Sequence, residues 1–126
     1  MQCPICTHAI TTIDHAGIAL DQCTSCGALW FDRTEFAATM EHDVPGVAIQ
    51  WGKTVKERHG VVHHCPRDAS PMKAMEWDGI PFDRCAKCAG VLLSKGSWTA
   101  VHLAAEAHAR GSKFSAVELM RDMFNM

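Results

Sequence analysis

The spacing of the cysteines constrains this chain more than any other feature. Cys3-Pro4-Ile5-Cys6 is followed, after sixteen residues, by Cys23-Thr24-Ser25-Cys26. The pattern returns once, as Cys65-Pro66-Arg67-Asp68, sixteen residues, then Cys85-Ala86-Lys87-Cys88. Sliding the sequence by 62 residues lays Cys3, Pro4, Gly17, Ile18, Asp21, Cys23 and Cys26 on Cys65, Pro66, Gly79, Ile80, Asp83, Cys85 and Cys88. Ile10/Met72, Ile13/Met75, Asp14/Glu76 and Leu20/Phe82 keep their apolar or acidic character. One small unit is written twice.

Units of about sixty residues bury too little apolar surface to fold on that alone; they lean on a metal, on disulfides or on association. The first residues lack the basic and apolar regions of a secretory signal, and no apolar run reaches the roughly 18–20 residues that cross a bilayer. The expected location is therefore cytoplasmic, a reducing compartment where clustered cysteines bind metal or do redox work more often than they crosslink. Two residues between thiolates let a tight turn present both sulfurs to one ion, and two such turns supply the corners of a tetrahedron. Structural zinc is thus the first reading of Cys3, Cys6, Cys23 and Cys26, and it would add the folding energy that a small core lacks. Iron suits the same thiolates. A thioredoxin-like redox pair would need a βαβ setting that is not evident here.

The second unit departs from the first at one position. Asp68 stands where Cys6 stands. A carboxylate oxygen can complete a tetrahedron with Cys65, Cys85 and Cys88, so a second zinc is expected there with Asp68 as the favoured fourth ligand. His63 or His64 could supply an imidazole instead, His63 being the better placed. The alternative is a unit that has lost its metal and kept its fold. An open fourth position would admit water and hence catalysis, but no general base is identifiable, and no enzyme is expected.

Within each unit the elements are readable. Residues 8–13 and 18–22 are strand candidates around His15-Ala16-Gly17, repeated as 72–77 and 80–84 around Asp78-Gly79, a strong hairpin turn signal. Short strands Ala28–Phe31 and Val91–Leu93 follow. Asp32 with Glu35 reads as a capping box, with Phe31 and Phe36 at the staple positions. Ser94 or Ser97 caps a longer helix running to about Arg110 and ended by Gly111. A last helix starts at Ser115, with Val117, Met120 and Phe124 along one face. The expected fold is a small metal-stabilised α+β protein: two tandem zinc ribbons, each a short antiparallel hairpin with zinc knuckles followed by a helix, plus the C-terminal helix. Residues 1–42 form the first ribbon, 43–62 a linker of unassigned structure, and 63–126 the second ribbon with the C-terminal helices.

The run Cys-Pro-x-Cys, then Asp-x-Cys-x-x-Cys-Gly-x-x-Trp-Phe-Asp-x-x-Glu-Phe, resembles the small bacterial zinc-ribbon proteins of the transcription-factor-IIB-type zinc finger family. Cys26, Gly27, Ala28, Leu29, Trp30, Phe31, Asp32 and Glu35 follow that family's pattern closely. In the second unit Ala89 replaces a glycine, Leu92 the Trp and Ser94 the Asp. The resemblance spans about 3–42 and 65–100 and implies a zinc ribbon with ligands Cys3, Cys6, Cys23 and Cys26. It suggests a transcription-related role only weakly, since the fold serves many purposes.

Charge bears on partners. The formal net charge is −2, and zinc on four and on three thiolates would bring it to about −5. Proteins that live on phosphate contacts are normally basic, so a protein partner is expected rather than nucleic acid, and no membrane. Trp30, Trp51, Trp77 and Trp98 read as core rather than base-stacking residues. His8, His15, His42, His59, His102 and His108 are scattered and read as surface residues. Lys53, Lys56, Arg58 and His59 read as a solvated linker face. Met120, Met123, Phe124 and Met126 could pack on a ribbon or let the C-terminal helix self-associate.

Overall fold

The computed structural model describes residues 1–46 and 55–109. Trp51, Lys53, the end of the long helix at Arg110 and Gly111, and the helix expected from Ser115 with Met120, Met123, Phe124 and Met126 lie outside the described residues. The elements run β1 (Ile10–His15), β2 (Ile18–Cys23), β3 (Leu29–Phe31), α1 (Glu35–Asp43), β4 (Lys56–Glu57), β5 (Lys73–Trp77), β6 (Ile80–Arg84), β7 (Val91–Leu93) and α2 (Lys95–Ala109). The chain is a small α+β protein whose described residues form one antiparallel sheet of seven strands, in the order β1-β2-β3-β7-β6-β5-β4.

Both hairpins turn on two residues at positive φ, Ala16 (53°) with Gly17 (84°) and Asp78 (53°) with Gly79 (79°). Two successive left-handed residues give the turn whose twist matches that of the flanking strands. The register follows, with His15 opposite Ile18 and Trp77 opposite Ile80. β4 falls within the expected linker, where it adds an edge strand to β5, with Lys56 opposite Glu76. The basic side chains there are used locally: Lys56 pairs with Glu76 at 3.2 Å, and Arg58 Nε donates to the Met75 carbonyl at 2.8 Å.

The two units meet strand to strand. β3 pairs with β7 so that Leu29 faces Leu93, Trp30 faces Leu92 and Phe31 faces Val91. All six of these residues are buried. Side chains alternate across a strand, so the run feeds both faces of the sheet. Leu29, Phe31, Val91 and Leu93 join a core with Phe36 and Met40 of α1 and Ala100, Val101, Ala104 and Ala105 of α2. Trp30 and Leu92 turn to the other face, among Cys3, Cys23, Cys65 and Cys85. Helices therefore cover one face and the cysteine clusters occupy the other. Gly90 belongs to this packing, because a β-carbon there would overlap the six-membered ring of Trp30.

The helix starts differ from expectation in one case. Ser94 Oγ accepts from the Ser97 N–H at 3.1 Å, as an N-cap does. Helix α1, however, begins only at Glu35, with Thr34 before it. Half of the expected box forms, since Asp32 N–H donates to Glu35 Oε1 at 2.8 Å. The Asp32 carboxylate is taken instead by Trp30 Nε1–H at 2.9 Å and by Arg67. Phe31 and Phe36 do meet, edge to face at 5.2 Å.

Candidate metal centres

Each knuckle is a tight turn that places two donor side chains side by side. Cys3 accepts a backbone bond from Thr7 and donates one to His8, and Cys65 does the same with Ala69 and Ser70. Thr7 and Ala69 take φ of 67° and 62°, and Gly27 and Ala89 take 78° and 62°. Left-handed backbone lets the chain double back so that amide hydrogens face sulfur. Ser25 and Cys26 donate to Cys23 Sγ at 3.4 Å, Cys88 to Cys85 Sγ at 3.4 Å and Arg67 to Cys65 Sγ at 3.4 Å.

The knuckles lie near the ends of adjoining strands, so each unit closes one cluster. Cys3, Cys6, Cys23 and Cys26 bring their sulfurs within 4.8 Å of one another, and Cys65, Asp68, Cys85 and Cys88 do likewise with three sulfurs and a carboxylate oxygen. All seven cysteines are free. A tetrahedral zinc with bonds near 2.3 Å would hold its sulfurs about 3.8 Å apart. Cys3 and Cys26 stand 3.7 Å apart, Cys6 and Cys23 3.3 Å, and Cys65 and Cys88 3.6 Å. Asp68 Oδ2 is 3.5 Å from Cys85 Sγ. Its Oδ1 accepts the Ser70 N–H at 2.9 Å, which fixes the carboxylate's orientation. Both donor sets fit zinc, which when bound would crosslink the two knuckles of its unit.

Electrostatics point the same way. Burial pushes the Cys26 thiol up to about 12 and the Cys65 thiol up to about 12. It raises Cys3 and Cys88 as well. Cys6, hydrogen-bonded by the His8 backbone, is brought down, to about 6. Thiolates packed this closely need a cation among them.

The histidine alternative for the second cluster is not what the structure places there. His63 Nδ1 lies 3.1 Å from Asp83 Oδ2, away from the cluster, and His64 forms a bridge with Pro71. Asp83 is buried and its carboxyl is pushed up by desolvation, a shift that the neighbouring His63 opposes. Arg67 was not singled out by sequence reasoning. It reaches from the second unit's knuckle to Asp32 at 2.7 Å and Asp21 at 3.1 Å in the first. No short-range pattern signals such a contact. The histidines also differ from a scattered surface set: His15, His42 and His102 gather at Asp43. Trp30 and Trp77 are core residues, as expected.

Hairpins flanked by facing cysteine knuckles define a zinc-ribbon architecture, present here in two copies. A family profile described as Transcription factor zinc-finger matches residues 2–42 and 64–100, and the chain belongs to that family as a tandem duplication. Comparison with curated proteins and with solved structures returned no match. Among the described residues no helix is long and apolar enough to cross a membrane.

Proposed function

We propose that the chain is a non-enzymatic, zinc-binding interaction module that holds two structural zincs and docks on a protein, in a setting related to transcription. The observation that carries this reading is the donor count. Each cluster assembles four side-chain donors of its own, a closed set that leaves no coordination position for water or substrate. The acidic balance favours a protein partner over phosphates, because the net charge of −2 becomes more negative once thiolates hold zinc. The family's description supports a transcription setting. Val61 and Val62, 73% and 55% exposed just before the second knuckle, are the kind of side chains a protein partner covers.

Elemental analysis of the native chain, paired with mass spectrometry of free thiols, tests the metal reading. Two zincs held through the seven cysteines are expected. Iron or disulfides would overturn it. Electrophoretic retardation of duplex DNA tests the partner class. No retardation, or retardation without steep salt dependence, is expected, whereas binding that falls steeply with salt would reverse the assignment.

A second reading is favoured by one residue. With Asp68 in place of a thiolate, the second site becomes an exchangeable centre for zinc handling or thiol sensing. Loss of one zinc to a mild chelator while the other stays supports it; two equally inert zincs end it.

A further inference from the structure

Far from the cysteines, at the turn end of the first hairpin, three histidines converge on one carboxylate. β1 runs from Ile10, opposite Cys23, to His15, opposite Ile18. That length separates the two ends by about 17–20 Å. Asp43 is the last residue of α1, and His102 lies on α2 in the second unit. His15 Nε2 is 2.9 Å from Asp43 Oδ1 and 3.0 Å from Oδ2. His42 Nδ1 is 2.9 Å from Oδ1, and His102 Nε2 is 2.7 Å from Oδ2. Side chains of neighbouring residues usually diverge, but His42 and Asp43 here point to one spot. The Asp43 side chain is only 13% exposed, and those of His102 and His15 are 24% and 34% exposed. Trp98 packs edge-on against both imidazoles, at 4.1 and 6.1 Å.

Hydrogen-bond accounting shows what this arrangement lacks. His102 Nδ1 lies 2.9 Å from the Trp98 carbonyl oxygen, which can only accept, so the ring's N–H is on Nδ1. A neutral His102 then aims the lone pair of Nε2 at a carboxylate oxygen 2.7 Å away. Two lone pairs at that distance repel unless a cation lies between them. A proton there would satisfy that one contact, with His15 and His42 donating ring N–H groups to the carboxylate as neutral imidazoles. A divalent ion satisfies the same contact and in addition takes one lone pair from each of the three imidazoles and from the carboxylate. A ring N–H given to a backbone carbonyl is also how metal-binding histidines are commonly oriented.

We propose that His15, His42, Asp43 and His102 form a third metal site, of nitrogen and oxygen donors, that takes a divalent transition ion such as Zn2+. His15, His42 and Asp43 already bring their ligand atoms within 4.8 Å of one another. His102 approaches the carboxylate's other oxygen. Bonds of 2.0–2.1 Å would set tetrahedral ligands about 3.4 Å apart, so the nitrogen-to-carboxylate contacts open by roughly half an ångström on loading while His102, outside the 4.8 Å set, moves toward the other two imidazoles. His42, whose side chain is 56% exposed, is free to give that distance. The ligands come from β1, α1 and α2, so an ion there would clamp the first unit to the second. Trp77 and Ala104 occupy the positions 62 residues after His15 and His42, so the site is not duplicated.

The test uses the full chain with its thiolate sites loaded with zinc, titrated calorimetrically with Zn2+ and, separately, with Co2+ followed by absorption. One further equivalent per chain is expected. Its affinity should drop about tenfold or more in His15→Ala or His42→Ala and be unchanged in His59→Ala. Bound Co2+ should give visible bands without thiolate charge transfer. His42→Ala alters a half-exposed side chain, so retention of the two thiolate-bound zincs reports an intact fold even if Asp43→Asn unfolds. No further equivalent, full affinity in both histidine variants, or a cobalt spectrum carrying sulfur charge transfer would each overturn the site.

Discussion

The two units share a backbone and differ in what they ask of it. In the first, Cys6 completes a four-sulfur cluster, and the buried Asp21 is satisfied by Thr12 Oγ1–H at 3.0 Å and Arg67 at 3.1 Å. In the second, Asp68 replaces the fourth sulfur, and the equivalent Asp83 has His63 on one oxygen while its buried Oδ1 has no hydrogen-bond partner among the described residues. Gly27 meets the left-handed knuckle position without cost, and Ala89 takes the same position with a β-carbon. The first unit is thus the better satisfied of the two, and it is so partly because the second lends it Arg67. Decay of a repeat need not alter its fold when the knuckle backbone survives substitution.

The largest test removes the metal from both units at once. Structural zinc contributes on the order of 10 kcal/mol in small domains. Stripping it from the reduced chain is therefore expected to abolish cooperative unfolding by circular dichroism; a transition that persists would sink the metal-stabilised reading of both units. Next comes the seam between them. Gly90→Ala should cost about 2–3 kcal/mol in denaturant unfolding, because the Trp30 ring is fully buried and cannot retreat. Adding Trp30→Leu should recover part of that loss. The metal sites themselves can be exchanged: Asp68→Cys should slow chelator removal of the second zinc about tenfold, worth about 1.4 kcal/mol, and Cys6→Asp should speed removal of the first. If either swap leaves the rates apart as before, position 68 does not set the difference.

Smaller effects refine the contrast. Arg67→Ile, which installs the first unit's residue, should destabilise by about 1 kcal/mol, discounted because the guanidinium is 48% exposed. Ala89→Gly should stabilise by about 0.5 kcal/mol, relief of left-handed strain being partly offset by a looser unfolded chain. A loss of stability there would mean that the two knuckles do not share a backbone.

Much of this was legible because it is local. A Cys-x-x-Cys turn and an Asp-Gly hairpin are decided within a few residues, so strands and clusters fell close to where the pattern put them. The expected strand Ala28–Phe31 is present as β3, yet a short apolar run says neither that both its faces are covered nor which strand lies beside it, so the join to β7 is not in the local pattern. Asp32 looked like a cap because its competitor, Arg67, lies 35 residues further on. The histidines around Asp43 come from three separate elements, with no spacing that a reader of the sequence could find.

The register of that join carries a further meaning. Trp30 lies opposite its own counterpart, Leu92, while Leu29 and Phe31 lie opposite the counterparts of each other. A dyad through the middle of the sheet produces such pairing, so the seam has the form of an isologous dimer interface drawn inside one polypeptide. Between identical subunits the residue on the axis must meet itself, and an indole there would find another indole. Covalent fusion lifts that obligation: one half carries Trp30, the other carries Gly90 to receive it, where the first half has Ala28. The same freedom lets one molecule hold a four-sulfur and a three-sulfur centre in fixed one-to-one proportion, which a symmetric pair of subunits could never do.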